Sequence, residues 1–457
     1  MTFGTDVILP PPFVGSMLLL GSIGALSAIL AHRSVSVFHD GLRPVMRDYR
    51  LGNLEHRDVG RTSFRLGWGF FWAFGIPFSL GAVIPLVYMI FMATDWIGVS
   101  TRGRLDVRWY RSGRALGGVL VAGSFGALWG VAVAVVLRGL AELMQRLPID
   151  MFDVTALFAV PAADAYFLLV LLPIAYHFGY RKAAIVLVLA SVVWAVAGEL
   201  AWPVPSAFGF AVIALAMVVF LVMEVRAATS VTVSRGDEPD WAVLDDDEEE
   251  DDDEFAANVK RIRSAAVPLI ALSMLMGAAY NGGVMAKDPV SGVLYSQGLA
   301  VPAALVMAVW AFSYIPMKFT TATMTGCMAT GTFLEVVVAL LMPNPWAAAI
   351  ACGVLRLVEL LALRSVVTLV ERVPQIRTLA DVVRTAIFQV MEIGCLIGGA
   401  LAASHLAGGW GVGVVIGAWF LNARKSNPVM PMSVGVVAAL GVGLFVNALA
   451  LVGLALP

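Results

Sequence analysis

The sequence predicts an all-α, polytopic integral membrane protein. Three observations carry that expectation. Of 457 residues, 60% are hydrophobic and 14% charged, whereas a soluble domain has about 25% charged residues; mean hydropathy is +0.87. Apolar runs of about the 20 residues that a membrane-crossing helix needs recur along the whole chain. Arginines collect in the short stretches between those runs, which is what orients a membrane protein.

The runs are 12–31, 115–138, 154–178, 183–201, 206–224, 266–282, 298–315, 319–342, 346–370, 378–403, 409–423 and 430–455, about twelve crossings. The first has no basic leader and no small-residue cleavage site, so it is expected to be retained. Residues 1–31 carry no Lys or Arg, 32–65 carry seven Arg and 102–114 carry five. Both clusters belong in the cytoplasm, with the N-terminus outside. The apolar segment 66–93 lies between them and cannot be one simple crossing. Gly75, Pro77, Gly81 and Pro85 interrupt it, so it is expected to be a re-entrant or broken-helix hairpin. Arg181 with Lys182, Arg372 with Arg377, and Arg424 with Lys425 then fall inside, and the C-terminus falls outside.

Net charge is −2, but it is unevenly spread. Residues 237–254 hold thirteen acids, ten of them consecutive (DDDEEEDDDE), and the other 19 acids face 30 basic residues. A block of like charge with few large apolar residues predicts disorder. The chain therefore divides into a membrane half (1–225), a disordered acidic cytoplasmic linker (226–264) and a second membrane half (265–457). The first half starts outside and the second inside. If the two are related, the repeat is inverted, and interrupted helices at corresponding places would form a binding site. The interrupted segments are 66–93 and SYIPMKFTTATMTGCMATGTF (313–333), with Pro316, Gly326 and Gly331. Six threonines crowd the latter, including Thr325 and Thr330. They suit coordination of a cation or polar substrate, or equally the close packing of helices.

Ionisable residues inside an apolar span are costly and mark functional positions or ion pairs. Glu359 is near the middle of 346–370, with Arg356 one turn before it; Glu392 is near the middle of 378–403, Asp164 near the middle of 154–178, and Glu335 follows the threonines. At 100° per residue, Asp381, Arg384, Thr385, Gln389 and Glu392 share an arc of about 140° on one helix. Asp95 and Asp150 sit at span ends in ATDWIG and PIDMF. Cys327, Cys352 and Cys395 fall within apolar runs, where packing is the expected role.

Enzyme signatures (GxGxxG, a Walker loop, HExxH, CxxC) are absent from the sequence, and the five histidines are not spaced as a metal set. No enzymatic activity, metal or cofactor is expected. The arginine-rich loops read as membrane-surface anchors, not as a nucleic-acid interface.

AHRSVSVFHDGLRP (31–44), MPNPWAAA (342–349), ELLALRS (359–365) and PQIRTLADVVRTAIFQVMEIGCLIGG (374–399) together resemble the YhfT family of bacterial inner-membrane proteins. The order and spacing fit along nearly the whole chain; the acidic linker and the arginine-rich stretch near 101–114 depart from the pattern. The resemblance implies a multi-pass, transporter-like inner-membrane protein whose gene neighbours hint at a small polar metabolite. It supplies no functional residues.

The expected function is a secondary transporter of a small polar or charged metabolite, with the lipid bilayer, the substrate and H⁺ or Na⁺ as partners. A homo-oligomer, a channel and a membrane scaffold recruiting a partner through the acidic linker stay open. Candidate substrate- or ion-binding residues are Arg356, Glu359, Arg384, Gln389, Glu392, Glu335, Thr325, Thr330 and Asp164. In AHRSVSVFHDGLRP, His39 and Asp40 are candidate gating residues, closing a cytoplasmic mouth with Asp40 paired to an arginine.

Overall fold

The computed structural model describes residues 13–71, 75–76, 78–79, 84–101, 113–149, 171–200, 205–235, 248–296, 298–426, 428 and 431–454. The chain opens with α1 (Phe13–His32), β1 (Ser36–Val37), α2 (Leu42–Arg50), α3 (His56–Phe70), α4 (Val87–Ser100) and α5 (Gly113–Gln145). Then come α6 (Leu171–Phe178), α7 (Tyr180–Glu199), α8 (Pro205–Arg235), α9 (Glu248–Ser264) and α10 (Ala266–Asn281). The last part is α11 (Pro289–Ser296), α12 (Ala300–Thr325), β2 (Met328–Ala329), α13 (Phe333–Leu341), α14 (Pro345–Arg372), α15 (Pro374–Ala423) and α16 (Pro431–Leu451).

The fold is all-α with many apolar helices, as a multi-pass membrane protein has. Large apolar side chains such as Leu18, Leu128, Ile185, Leu215 and Leu361 stand exposed on its outer faces, where a soluble protein keeps exposed apolar patches small. Among the described residues, eight helices are long and apolar enough to cross a membrane, or nine if the bent pair 254–264 and 266–281 counts as one crossing. The described residues do not confirm the expected twelve.

Several boundaries differ from the sequence expectation, each for a local reason. The expected spans 298–315 and 319–342 are one long helix, α12, followed by a break and the short α13. Pro316 does not end α12; Gly326 does, in the left-handed conformation (φ 60°) that glycine adopts without steric cost. Of the expected span 154–178, only α6 lies within the described residues. The arginine-rich stretch before 66 is continuous with the apolar residues after it in α3, and the described break of that segment is the extended 84–86 before α4. The described parts of the acidic linker are helical where disorder was expected. Residues 226–235 continue α8 and 248–264 form α9, where Glu254 pairs with Arg47 of α2 at 2.7 Å.

MPNPWAAA starts a helix: Pro345 occupies the first turn of α14 and the Asn344 side chain accepts the Ala347 N–H at 2.9 Å. That is the preferred chemistry for a helix N-terminus. α15 is interrupted at Ala407–Gly408, which divides it near the boundary between the expected spans 378–403 and 409–423.

One packing pattern occurs twice. α1 packs on α4 and α5, which touch each other, and α3 packs on α4; α10 packs on α13 and α14, which touch each other, and α12 packs on α13. The central helix pair of each set meets backbone to backbone. A Cβ on Gly24 of α1 would lie 2.2 Å from the Gly126 carbonyl of α5, and one on Gly277 of α10 would lie 2.6 Å from the Ala348 carbonyl of α14. The two sets exchange extended segments. β1, just after α1, pairs in parallel with β2, just before α13, with Met328 N–H donating to Val35 O (2.7 Å) and Thr330 N–H to Val37 O (3.0 Å). Reciprocally, Leu86, just before α4, bridges in parallel to Ala286, which follows α10.

Candidate functional site

The extended crossings surround a cavity of about 320 Å³, within the usual size range of small-molecule sites. Its floor is the loop after α1. α4 fixes that loop. Gly98 lets α4 approach the end of α1 so closely that a Cβ there would be 2.5 Å from the Ala28 carbonyl, and the Thr94 and Ser27 hydroxyls bond at 3.0 Å. Asp95 is thereby buried beneath the loop, where its carboxylate accepts the backbone N–H groups of Phe38 (2.9 Å) and His39 (2.9 Å). Ser36 of β1 and Thr330, the residue after β2, share a hydroxyl–hydroxyl bond of 2.6 Å.

Lys287, after α10, reaches into the crossing. Its Nζ donates to the Gly331 carbonyl at 2.6 Å and lies 4.3 Å from the Phe38 ring centre and 4.6 Å from that of Phe333. This cation–π sandwich spans three chain segments. The next residue, Asp288, accepts from the Ser291 N–H (3.2 Å) and hydroxyl (2.6 Å) at the start of α11. Aromatic rings form much of the wall: Phe333 stacks on Trp310 at 5.2 Å and lies 5.0 Å from Tyr314, with Tyr88 and Phe388 close by.

Arg43 of α2 closes one side, wholly buried, and donates to Asp40 (2.5 Å) and to the Lys318 carbonyl (3.1 Å). Lys318 of α12 lines the cavity and its ammonium pairs with Glu359 of α14 behind the wall. Glu359 also pairs with Arg356 at 3.0 Å, and Arg356 pairs with Glu335 of α13. Ser273 of α10 accepts from Arg356 Nε (2.8 Å) and donates to Glu335 (2.5 Å). Glu335 in turn accepts the Thr332 N–H at 3.0 Å, returning the network to the cavity wall. Two cations and two carboxylates, all nearly inaccessible, thus balance in charge.

His39 lies in the loop between α1 and α2. Burial lowers its pKa below the ordinary 6.5, with Asp40 acting the other way. Its Nδ1 accepts the Gly41 N–H at 3.1 Å, which requires that nitrogen to be unprotonated.

Of the residues singled out from sequence, Thr330, Arg384, His39 and Asp40 line the cavity. Asp40 is paired to an arginine, Arg43. Arg356, Glu359 and Glu335 form the buried network beside it. Thr325 sits apart: its hydroxyl donates to Thr321 O (2.5 Å) and its carbonyl accepts from Arg50. The polar stripe on α15 meets the cavity only at Arg384, which pairs with Asp381 at 2.8 Å. Gln389 is exposed and bonded to Tyr176 (3.2 Å), while Glu392 accepts from Trp419 Nε1 (3.1 Å). Asp164 lies outside the described residues. The sequence reading passed over Lys318, Lys287 and Arg43. A lone lysine inside an apolar run, as in PMKF, was the available signal for Lys318; Lys287 and Arg43 sit in polar stretches that read as ordinary loops.

The model of the YhfT family, described as a protein of unknown function, matches residues 16–455. The chain belongs to the YhfT family. It is 28% identical over 454 residues to the "Uncharacterized protein YhfT" of Escherichia coli (strain K12), a match covering 96% of this chain and 98% of the relative. No solved structure matches. The match spans both sets of helices and every segment that lines the cavity.

Proposed function

We propose that this YhfT-family protein is a secondary, ion-coupled transporter of a small polar or charged metabolite in the bacterial inner membrane. Its two helix sets are two inverted halves, with both termini outside and the acidic linker in the cytoplasm. The observation that carries the reading is the cavity at the reciprocal crossing of interrupted chain segments. In repeat-built transporters the substrate sits where broken helices of the two halves meet, because freed backbone groups there can face a polar ligand. The cavity walls offer aromatic faces, hydroxyls and charged groups, which suit recognition of a small polar ligand.

Glu335 and Glu359 are each matched by a cation, so protonating either would strand a positive charge. Asp95 is different. It is met by two backbone N–H groups, and among the described residues no cation stands within ion-pair distance. It is a carboxylate that can take up a coupling proton without unbalancing a partner, and it holds the loop that carries His39 and Asp40.

The test is uptake into proteoliposomes of a panel of amino acids, organic acids and phosphorylated metabolites, with and without a pH or Na⁺ gradient. Saturable, gradient-driven uptake that Asp95→Asn uncouples supports the reading. Uptake that is passive and unsaturable favours a channel, and failure of every solute rejects transport. Contact of α9 with α2 through Glu254–Arg47 favours one second reading, a scaffold whose acidic run is presented to a partner; deleting 237–247 would then abolish partner capture and spare uptake.

A further inference from the structure

We infer that Lys287 receives the anionic group of the ligand and that the cavity's substrate is a small organic anion. The inference rests on the transporter reading and names its substrate class.

The cavity's charges differ in how they are matched. Arg43 has Asp40, Arg384 has Asp381, and Lys318 has Glu359. Asp288 is tied to the first turn of its own helix by Ser291. Lys287 is 5% exposed, yet among the described residues no carboxylate stands within ion-pair distance of it. An ammonium has three N–H donors; one goes to Gly331 O. The flanking Phe38 and Phe333 rings favour a cation but supply no counter-charge. Burial without a paired carboxylate pushes the Lys287 pKa down to about 7, and a carboxylate or phosphoryl group entering the cavity would favour the ammonium form and offset the cost of burying it.

The same arrangement positions the rest of the ligand. Trp310, Tyr314, Phe333 and Phe388 offer ring faces and edges, which suit an apolar or flat body. Lys287 touches Gly331 and Phe38, parts of both crossing segments. An anion held on its ammonium therefore bears on the contact between the two helix sets, which a transporter must remodel during its cycle.

The experiment uses the full-length protein in detergent and a set of matched probes. Phenylacetate and phenylphosphonate are the anions, phenylacetamide and benzyl alcohol the neutral analogues, and benzylamine the cation. Equilibrium dialysis should show at least tenfold tighter binding of an anion than of its neutral analogue. Lys287→Met should abolish that preference and Lys287→Arg should keep part of it. Equal or tighter binding of the neutral or cationic probes, or a preference surviving in Lys287→Met, overturns the anion assignment while leaving a ligand-binding cavity intact. Absence of binding by every probe, together with absence of uptake of every solute, removes the transporter reading and this inference with it.

A measurement that needs no ligand guards against misfolding of the variant. Thr330→Cys places a thiol on the cavity wall, while Cys327, Cys352 and Cys395 are buried and serve as the unreacted background. An anionic methanethiosulfonate should modify it at least several-fold faster than a cationic one of similar size. Equal rates or the reverse order overturn the inference.

Discussion

Replacing Arg356 with Met should cost about 3–5 kcal/mol, the range for breaking a buried ion pair from one side. Arg356 is 2% exposed, Glu335 0% and Glu359 4%. Without the guanidinium, two buried carboxylates share one ammonium, that of Lys318, and the Ser273 hydroxyl loses a donor. Met is close to Arg in volume and apolar, so the loss is chiefly electrostatic. Adding Glu335→Gln to Arg356→Met restores one cation to one carboxylate, and the double variant should recover more than half of the loss. Reversible unfolding in mixed micelles titrated with a denaturing detergent reads the differences, with Arg47→Ala as the yardstick. The Arg47–Glu254 pair is 38% and 40% exposed and is worth about 0.2–1 kcal/mol. Should Arg356→Met prove no more damaging than Arg47→Ala, the four side chains do not act as a desolvated network. Simple additivity in the double variant would refute the charge-balance explanation even if both single changes are harmful.

Four further outcomes are expected. Asp95→Ala leaves the Phe38 and His39 N–H groups without their acceptor and should cost about 1–3 kcal/mol for each group; Asp95→Asn, which keeps a carbonyl acceptor, should cost less, as the same unfolding titration would show. Gly24→Ala, whose Cβ would sit 2.2 Å from a carbonyl oxygen, should lose about 1–3 kcal/mol by overpacking, while Gly417→Ala, with open space around it, should be neutral or slightly stabilising in the same assay. Because the folded pKa of His39 lies below its unfolded value near 6.5, the unfolded chain takes up the proton first. Stability is full above pH 6.5 and falls as pH drops through that value toward the folded one, so the melting temperature of the wild type should fall more between pH 7 and 5.5 than that of His39→Gln; equal slopes would contradict a buried neutral imidazole. Finally, Ser36→Cys with Thr330→Cys, at positions whose hydroxyl oxygens are 2.6 Å apart, should form a disulfide on oxidation, visible as a mobility shift after cleavage of the linker. If the halves must move, it should arrest uptake until reduced.

The membrane class and most long helices are legible in the sequence because they follow from local quantities: run length, arginine placement and the glycines and prolines that end helices. Gly326 shows the limit. Sequence marks 313–333 as interrupted, but Pro316, Gly326 and Gly331 are all eligible breakpoints, and only packing decides that α12 tolerates the proline and stops at the glycine. The ion network was half visible, since Arg356 and Glu359 lie three apart on one helix and can be paired by counting. Glu335 and Lys318 join them from other helices, a long-range fact with no local signature. The stripe on α15 was visible by the same counting, yet its residues divide among the cavity, Tyr176 and Trp419. An amphipathic arc shows that a helix has a polar side and is silent on what that side faces.

As the stretch after an apolar helix, AHRSVSVFHDGLRP reads as a surface anchor, yet His32, Arg33 and Arg43 are buried within the fold. It needs somewhere to place the N–H and C=O groups of an extended backbone, because unpaired peptide groups in apolar surroundings cost several kcal/mol each. Within its own half, Val35 N–H donates to Leu30 O, and the Phe38 and His39 N–H groups donate to the Asp95 carboxylate. The Val35 and Val37 carbonyls accept from Met328 and Thr330 across the crossing and the Arg33 carbonyl accepts from Arg261 of α9, just as Ala286 is met by the segment before α4. Neither set of helices can therefore complete its interrupted segment alone. The cavity, lined by Phe38, His39 and Asp40 from one crossing and by Lys287, Thr330 and Phe333 from the other half, exists only where the halves are joined. A ligand bound there would touch both sets of helices at once, and under the proposed transporter reading that contact would let binding bear on the geometry of the whole molecule.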